Sequence, residues 1–275
     1  MGKRFWRIVA TGFCFAVFGL GGLLILCFVF PVLRLFHADL QASQQQARRV
    51  IHKTFQWFVR LMVGCGVISH EVRQAEKLAR HGLLIVANHP SLIDVVLLIA
   101  LVERPNCVVK ASLRDNVFTR GPVRGAGFVA NTDGPQLLAD CVASVRSGDN
   151  LIVFPEGTRS LEHDAPSPMK RGAANIALRG GLSLTPVVIT VSEPMLGKGQ
   201  GWRDAPRKRP HFILSVEDDI PMTSCFAPFA ADEEEDAKAE ESPVITSMAR
   251  RLSADLGAFF AEKIKAQRAS GCDSN

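Results

Sequence analysis

Between Ile8 and Leu33 the chain runs for 26 residues without a charged side chain. As an α-helix this segment reaches roughly 39 Å at about 1.5 Å per residue, more than the roughly 30 Å of hydrocarbon in a bilayer. Lys3, Arg4 and Arg7 precede it and Arg34 follows. A cleavable leader carries a shorter apolar stretch, about 7–15 residues, and ends in a small-x-small site. Phe30-Pro31-Val32-Leu33-Arg34 offers no such site, so the segment reads as a retained membrane anchor. Gly19, Gly21, Gly22 and Pro31 allow a bend into a re-entrant hairpin as the alternative to a span. Cations on both flanks give the positive-inside rule nothing to choose between.

Charge is distributed to match. Residues 1–80 hold 11 Lys and Arg against three Asp and Glu, and the remainder holds 21 against 24. The basic residues of the first part alternate with Phe, Trp, Val and Leu, which points to an anionic membrane surface and away from nucleic acid. A second helix is expected over about 41–63, where Val50, Phe55, Phe58 and Met62 lie among Arg48, Arg49, Lys53 and Arg60. That pattern suits a helix in the headgroup region and equally a core helix of a globular domain. The chain therefore divides into membrane-associated helices, 1–63, and a catalytic-sized domain, 64–275. Seven scattered cysteines, Cys14, Cys27, Cys65, Cys107, Cys141, Cys225 and Cys272, form no C-x-x-C pair. They argue against a disulfide framework or a metal site and for a reducing compartment.

From about residue 81 the texture changes. Short apolar runs at 83–87, 107–109, 128–130, 151–154, 186–191 and 212–216 read as buried strands. Helical patterns separate them at 91–102, 137–145 and 172–179, with Gly148 closing the second. Continuous apolar strands alternating with helices predict an α/β fold, a largely parallel or mixed central sheet flanked by helices. Asp232–Glu241 is an acidic run read as a solvated loop, and 243–268 has the spacing of an amphipathic helix packed on the sheet.

The chemistry sits just after two of these strands, where open α/β sheets bind ligands. In Asn88-His89-Pro90-Ser91-Leu92-Ile93-Asp94 a histidine leaves a strand and an aspartate five residues on can fold back to its ring. Such a carboxylate fixes one tautomer and stabilises the imidazolium formed when the other nitrogen takes a proton. With no G-x-S-x-G nucleophile, the base would act on a hydroxyl of the substrate. Ser91-x-x-Asp94 also has the form of a helix cap, the structural alternative. In Phe154-Pro155-Glu156-Gly157-Thr158-Arg159-Ser160, Gly157 permits close backbone approach to an anion and Arg159 offers a planar fork for phosphate. Glu156 would position the ligand or hold Arg159.

Asn-His-x-x-x-x-Asp followed some sixty residues later by Phe-Pro-Glu-Gly-Thr-Arg-Ser resembles the glycerolipid acyltransferases of the 1-acylglycerol-3-phosphate O-acyltransferase type, over roughly residues 80–195. The resemblance implies that His89 is the general base, oriented by Asp94, for transfer of a fatty acyl group from a thioester to the hydroxyl of a lysophospholipid. It implies that Glu156, Gly157, Thr158 and Arg159 bind the acceptor phosphate. It makes Lys110, in Val109-Lys110-Ala111-Ser112-Leu113, a second phosphate contact, and Thr185-Pro186-Val187-Val188-Ile189 a wall of the acyl pocket. No cofactor is implied; acyl-coenzyme A or acyl carrier protein serves as co-substrate. The implied partners are the bilayer and a lysolipid, and the implied location is a membrane with the site facing the cytoplasm, the inner membrane in a bacterium. One departure stands out. Many family members carry Asp-Arg after the middle strand, where this chain has Ala130-Asn131-Thr132-Asp133. Arg120 or Arg124 would then supply the missing cation. The alternatives are the same chemistry on a lyso-ornithine lipid or specialised glycolipid, an acyl-thioester hydrolase, and a non-catalytic lipid-binding protein.

Overall fold

The computed structural model describes residues 2–36, 39–111, 120–131, 135–160, 165–222 and 243–272. The acidic run 232–241, Cys225 and the Thr132-Asp133 pair lie outside these residues.

Helix α1 (Gly2–Leu24) passes through one wide π turn (Ile25–Val29) into α2 (Phe30–Phe36). Of the two forms left open for this run, the glycines do not fold it back on itself: one unbroken helix covers Lys3–Leu33. Pro31 explains where the widening falls. It has no N–H for the carbonyl one turn back and its ring crowds that turn, and a π turn just before it takes up both defects. The return helix α3 (Leu40–Gly64) is capped by Asp39, whose side chain accepts the amides of Gln41 at 3.2 Å and Ala42 at 3.0 Å.

Of the two readings of this second helix, the structure takes the core one for its inner face. Ile51, Phe58, Val59 and Met62 are buried, and α3 packs on α4 (Ile93–Leu101). Arg48, expected among headgroup-facing cations, is instead buried. Its guanidinium pairs with buried Asp149 and Nε donates to the Ala126 carbonyl at 2.8 Å. A buried guanidinium needs such compensation, and it ties α3 to the start of a central strand.

Seven strands form one sheet: β1 (Ser69–Arg73), β2 (Leu84–Ala87), β3 (Pro105–Lys110), β4 (Val129–Asn131), β5 (Asn150–Val153), β6 (Leu184–Val191) and β7 (His211–Val216), in the order β1-β7-β6-β2-β5-β3-β4. All neighbours are parallel except β6 and β7. The six strands read from the sequence are present, with ends shifted by one or two residues. Strand β1 was not foreseen, because Ser-His-Glu-Val-Arg carries no apolar run; it lies at the sheet edge, where half-exposed polar side chains are tolerated.

Alternate side chains of the strands feed two cores. Ile85, Ala87, Cys107 and Ile152 meet α3 and α4, while Leu84, Val86, Leu151 and Val153 meet the other layer. That second layer is α6 (Pro135–Arg146), α7 (Gly172–Gly180) and α8 (Pro243–Cys272), with a short α5 (Arg120–Gly125) preceding β4. Gly148 follows α6 at φ 86°, the left-handed close expected of it. The parallel strands β2 and β5 are adjacent, with Val86 opposite Val153, so the two segments that follow them leave the sheet side by side.

Candidate active site

Strand β2 ends at Ala87, and Asn88 continues its pairing through its side chain. The Asn88 Nδ2 donates to the Ile189 carbonyl at 2.8 Å and Ile189 N–H donates to Asn88 Oδ1 at 2.7 Å. With residue 88 pinned to β6, His89 starts from a fixed point. The chain then turns through Pro90 and enters α4. Asp94, fully buried, uses one oxygen for two purposes: Oδ2 accepts Ser91 N–H at 2.7 Å and faces His89 Nδ1 at 3.0 Å. The capping reading and the orienting reading of Asp94 therefore hold together. Burial raises the Asp94 carboxyl above its ordinary value, opposed by its contacts with His89 and Ser91. With Nδ1 taken by Asp94, Nε2 is the nitrogen left for a ligand. The imidazole stacks on Phe154 with centroids 4.2 Å apart, which fixes the plane of the ring.

The segment after β5 grips the main chain of the same histidine. Glu156, 2% exposed, accepts His89 N–H on Oε1 at 2.8 Å. Its Oε2 accepts Ser167 N–H at 2.7 Å, and Ser160 Oγ donates to both oxygens at 3.0 and 2.8 Å. Ser160 N–H in turn donates to the His89 carbonyl at 2.8 Å. The two sequence motifs thus form one site. Of the two roles the sequence left open for Glu156, positioning a ligand or holding Arg159, its hydrogen bonds show neither: they go to His89, Ser160 and Ser167, and the carboxylate is buried. Gly157, at φ 67°, makes the turn that an L side chain would strain.

Arg159 points elsewhere. Its Nη1 donates to the carbonyls of Leu196 and Gly197, both at 2.8 Å. Those carbonyls belong to the loop after β6, which also accepts Leu92 N–H on Leu196 at 3.1 Å and Ser91 Oγ on Met195 at 2.6 Å. Leu196 sits at φ 52°, a conformation that costs a non-glycine residue about 1–3 kcal/mol. Sequence reading missed this third wall, since a loop of Met, Leu and Gly carries no chemical signature. Lys110 ends β3, exposed and in register with Asn131, at the same end of the sheet as the dyad but with no contact to it. Thr158 is half-buried between Gly157 and Arg159. Among the described residues no three His, Cys, Asp or Glu side chains converge as metal ligands would.

Residues 69–190 match the family model described as Acyltransferase. The chain is 27% identical over 184 residues to the 1-acyl-sn-glycerol-3-phosphate acyltransferase of Saccharomyces cerevisiae, covering 64% of this chain and 59% of that protein. It is 31% identical over 138 residues to the lyso-ornithine lipid O-acyltransferase of Pseudomonas aeruginosa, covering 49% of this chain and 52% of that one. The chain therefore spans little more than half the length of these relatives. The crystal structure of the 1-acyl-sn-glycerophosphate acyltransferase from Thermotoga maritima superposes with a TM-score of 0.63 at 20% identity, over 92% of this chain and 97% of that one. That likeness establishes the fold.

Proposed function

We propose, from the match of residues 69–190 to the Acyltransferase family model and the site described above, that this chain moves a fatty acyl group from a thioester to the free hydroxyl of 1-acylglycerol 3-phosphate, giving phosphatidate. The observation that carries the reading is the His89 Nδ1 to Asp94 Oδ2 contact at 3.0 Å, inside a site built jointly with residues 156–160. In this mechanism Nε2 of His89 takes the hydroxyl proton while the oxygen attacks the thioester carbonyl. Asp94 holds the Nδ1 proton and stabilises the imidazolium. The tetrahedral oxyanion collapses, the carbon–sulfur bond breaks, and the departing thiolate receives the proton from Nε2. A general base of this kind contributes about 10²–10⁴-fold. Arg159 and Lys110 supply positive field for the acceptor phosphate, which favours a phosphate-bearing acceptor over a lyso-ornithine lipid.

The acceptor is a lipid, and the surface supports delivery from a bilayer. Phe5, Trp6, Phe13, Phe28, Leu35 and Phe36 of the first two helices are exposed. The same helix is held along the domain rather than projecting from it. Trp6 Nε1 donates to the Cys65 carbonyl at 3.0 Å, and Arg7 Nε donates to the Pro206 carbonyl at 3.0 Å. Gly12 faces Trp202 so closely that a Cβ would come within 3.0 Å of its ring. A helix tethered this way suits insertion into one leaflet on the cytoplasmic side.

The test is mass spectrometry of lipids made by the purified chain in mixed micelles from one acyl thioester and a panel of lysolipids. Phosphatidate formed from 1-acylglycerol 3-phosphate, and lost with His89→Ala, supports the reading. Product from lyso-ornithine lipid alone, or acceptor-independent release of thiol, overturns it in favour of the corresponding alternative.

A further inference from the structure

Phe154, the first residue after β5, lays its ring on that of His89. The centroids are 4.2 Å apart and the planes lie 25° from parallel, so a π face rather than a ring edge meets the imidazole. Both partners are fixed through their main chains. Glu156 and Ser160 hold the N–H and the carbonyl of His89, and the Phe154 carbonyl accepts Gly157 N–H at 3.0 Å in the turn that follows. The Phe154 side chain packs against the core around Ile85, Ala87 and Ile152, and the His89 side chain is 15% exposed.

This contact discriminates between the two states of the base. An aromatic ring is electron-rich on its faces and electron-poor at its edge. A neutral imidazole stacked on such a face gains dispersion. An imidazolium gains an electrostatic attraction as well, and that gain grows where water is kept away. Asp94 reaches the imidazole at one edge atom, Nδ1, and its other oxygen faces no donor among the described residues. The carboxylate therefore leaves the face of the ring to Phe154.

In the reaction proposed above, His89 is positive only while it holds the hydroxyl proton. An attraction that is strong for the charged ring and weak for the neutral one lowers the barrier without tightening the binding of substrate. We propose that Phe154 is a positioning residue for acyl transfer, and that its π face stabilises the His89 imidazolium as the proton arrives on Nε2. The proposal rests on the acyl-transfer reading. An aliphatic side chain of similar volume would fill the same space and supply neither the flat contact nor the attraction.

Fluorination tests the charge and nearly preserves the shape, because each fluorine withdraws electrons from the π face. Phe154 also borders a cavity of about 350 Å³ beside Val153 and Gly157, which leaves room for substituents on its ring. Monofluoro-, trifluoro- and pentafluorophenylalanine placed at position 154 of the full chain should lower kcat in that order, by about tenfold at the end of the series. The acceptor KM should not change. Phe154→Tyr keeps an electron-rich face and should hold kcat near that of the parent, whereas Phe154→Leu should fall to the level of the pentafluoro variant. A second readout needs no lipid. Diethyl pyrocarbonate acylates a neutral imidazole nitrogen through a positively charged ring, and its rate at His89, followed by peptide mass spectrometry, should decline along the same series. Where the pentafluoro variant does not fold, the lighter substitutions carry the trend. Constant kcat across the folded fluorinated variants overturns the proposal, even if Phe154→Leu is slow, because the ring would then serve packing alone. A fluorine trend at His89 with no acyl transfer to any lysolipid would instead overturn the acyl-transfer reading and leave the π-face contact standing.

Discussion

The buried carboxylate of Glu156 holds the backbone N–H of His89 at 2.8 Å, so a residue from the end of β5 sets the position of a residue from the end of β2. Ser160 N–H closes the link at the His89 carbonyl, and the imidazole is placed through its main chain. Glu156→Gln offers one acceptor oxygen where two are used, and its amide would present donors to the Ser167 N–H or to Ser160. Leaving a buried donor unmatched costs about 1–3 kcal/mol. At about 2–4 °C per kcal/mol for a chain approaching this size, thermal unfolding should show a fall of several degrees. In the same variant kcat should drop while KM for the acceptor changes little, since Glu156 is shut away from any ligand.

Asp94→Asn separates stability from chemistry. Asparagine cannot stabilise an imidazolium, and turnover should fall about 10²–10⁴-fold. The effect on stability has the opposite direction. Burial raises the Asp94 carboxyl in the folded protein, so folding favours its protonated form. That contribution is complete below the usual carboxylate range near 4 and is lost as pH climbs through the raised value. The Tm of Asp94→Asn relative to the parent should therefore become more favourable from pH 4 to pH 8. A constant difference across that range would show that Asp94 ionises without a folding penalty.

Much of this was legible in the chain. Apolar runs marked the central strands because both faces of a parallel sheet are buried, and the residues 88–94 and 154–160 stood out by type and spacing as the two segments that the structure sets side by side. What escaped shares one property: its role is set by partners far away in sequence. Arg48 looks like a surface cation until Asp149, 101 residues on, meets it. Glu156 looks like a ligand-binding acid until its four contacts are seen. Strand β1 is made by β7, and the wall at Met195–Gly197 acts through carbonyls, which every residue has.

Arg159→Ala should show two effects with one origin each. Loss of the guanidinium frees the carbonyls of Leu196 and Gly197, and Leu196 then has less to hold it at positive φ. Proteolysis within 192–201 should quicken. The acceptor KM should rise as positive field is lost near the headgroup, and Arg159→Lys should recover part of the KM but not the protease resistance, because an ammonium lacks the planar fork. Recovery of both by lysine would mean that charge alone orders the loop.

The loop that joins β6 to β7, and packs on α1 through Trp202, carries the last prediction. Lys198, Arg203, Arg207, Lys208 and Arg209 are all exposed, and Trp202, itself beneath Arg203 at 5.0 Å, rests on Gly12 of the first helix. Basic side chains interleaved with an interfacial tryptophan suit an anionic membrane surface. Arg209 is excluded from the test because it donates to the carbonyls of Val63 and Ile68, a structural task. The triple variant Arg203→Gln, Arg207→Gln and Lys208→Gln removes three cations, each worth about 1 kcal/mol at a charged surface. Partitioning onto vesicles containing phosphatidylglycerol should fall by up to about 100-fold and lose most of its salt dependence. Partitioning onto pure phosphatidylcholine, driven by the exposed apolar side chains of α1 and α2, should stay as it was. Equal losses on both vesicles would place these cations in the fold of the loop rather than at the lipid surface.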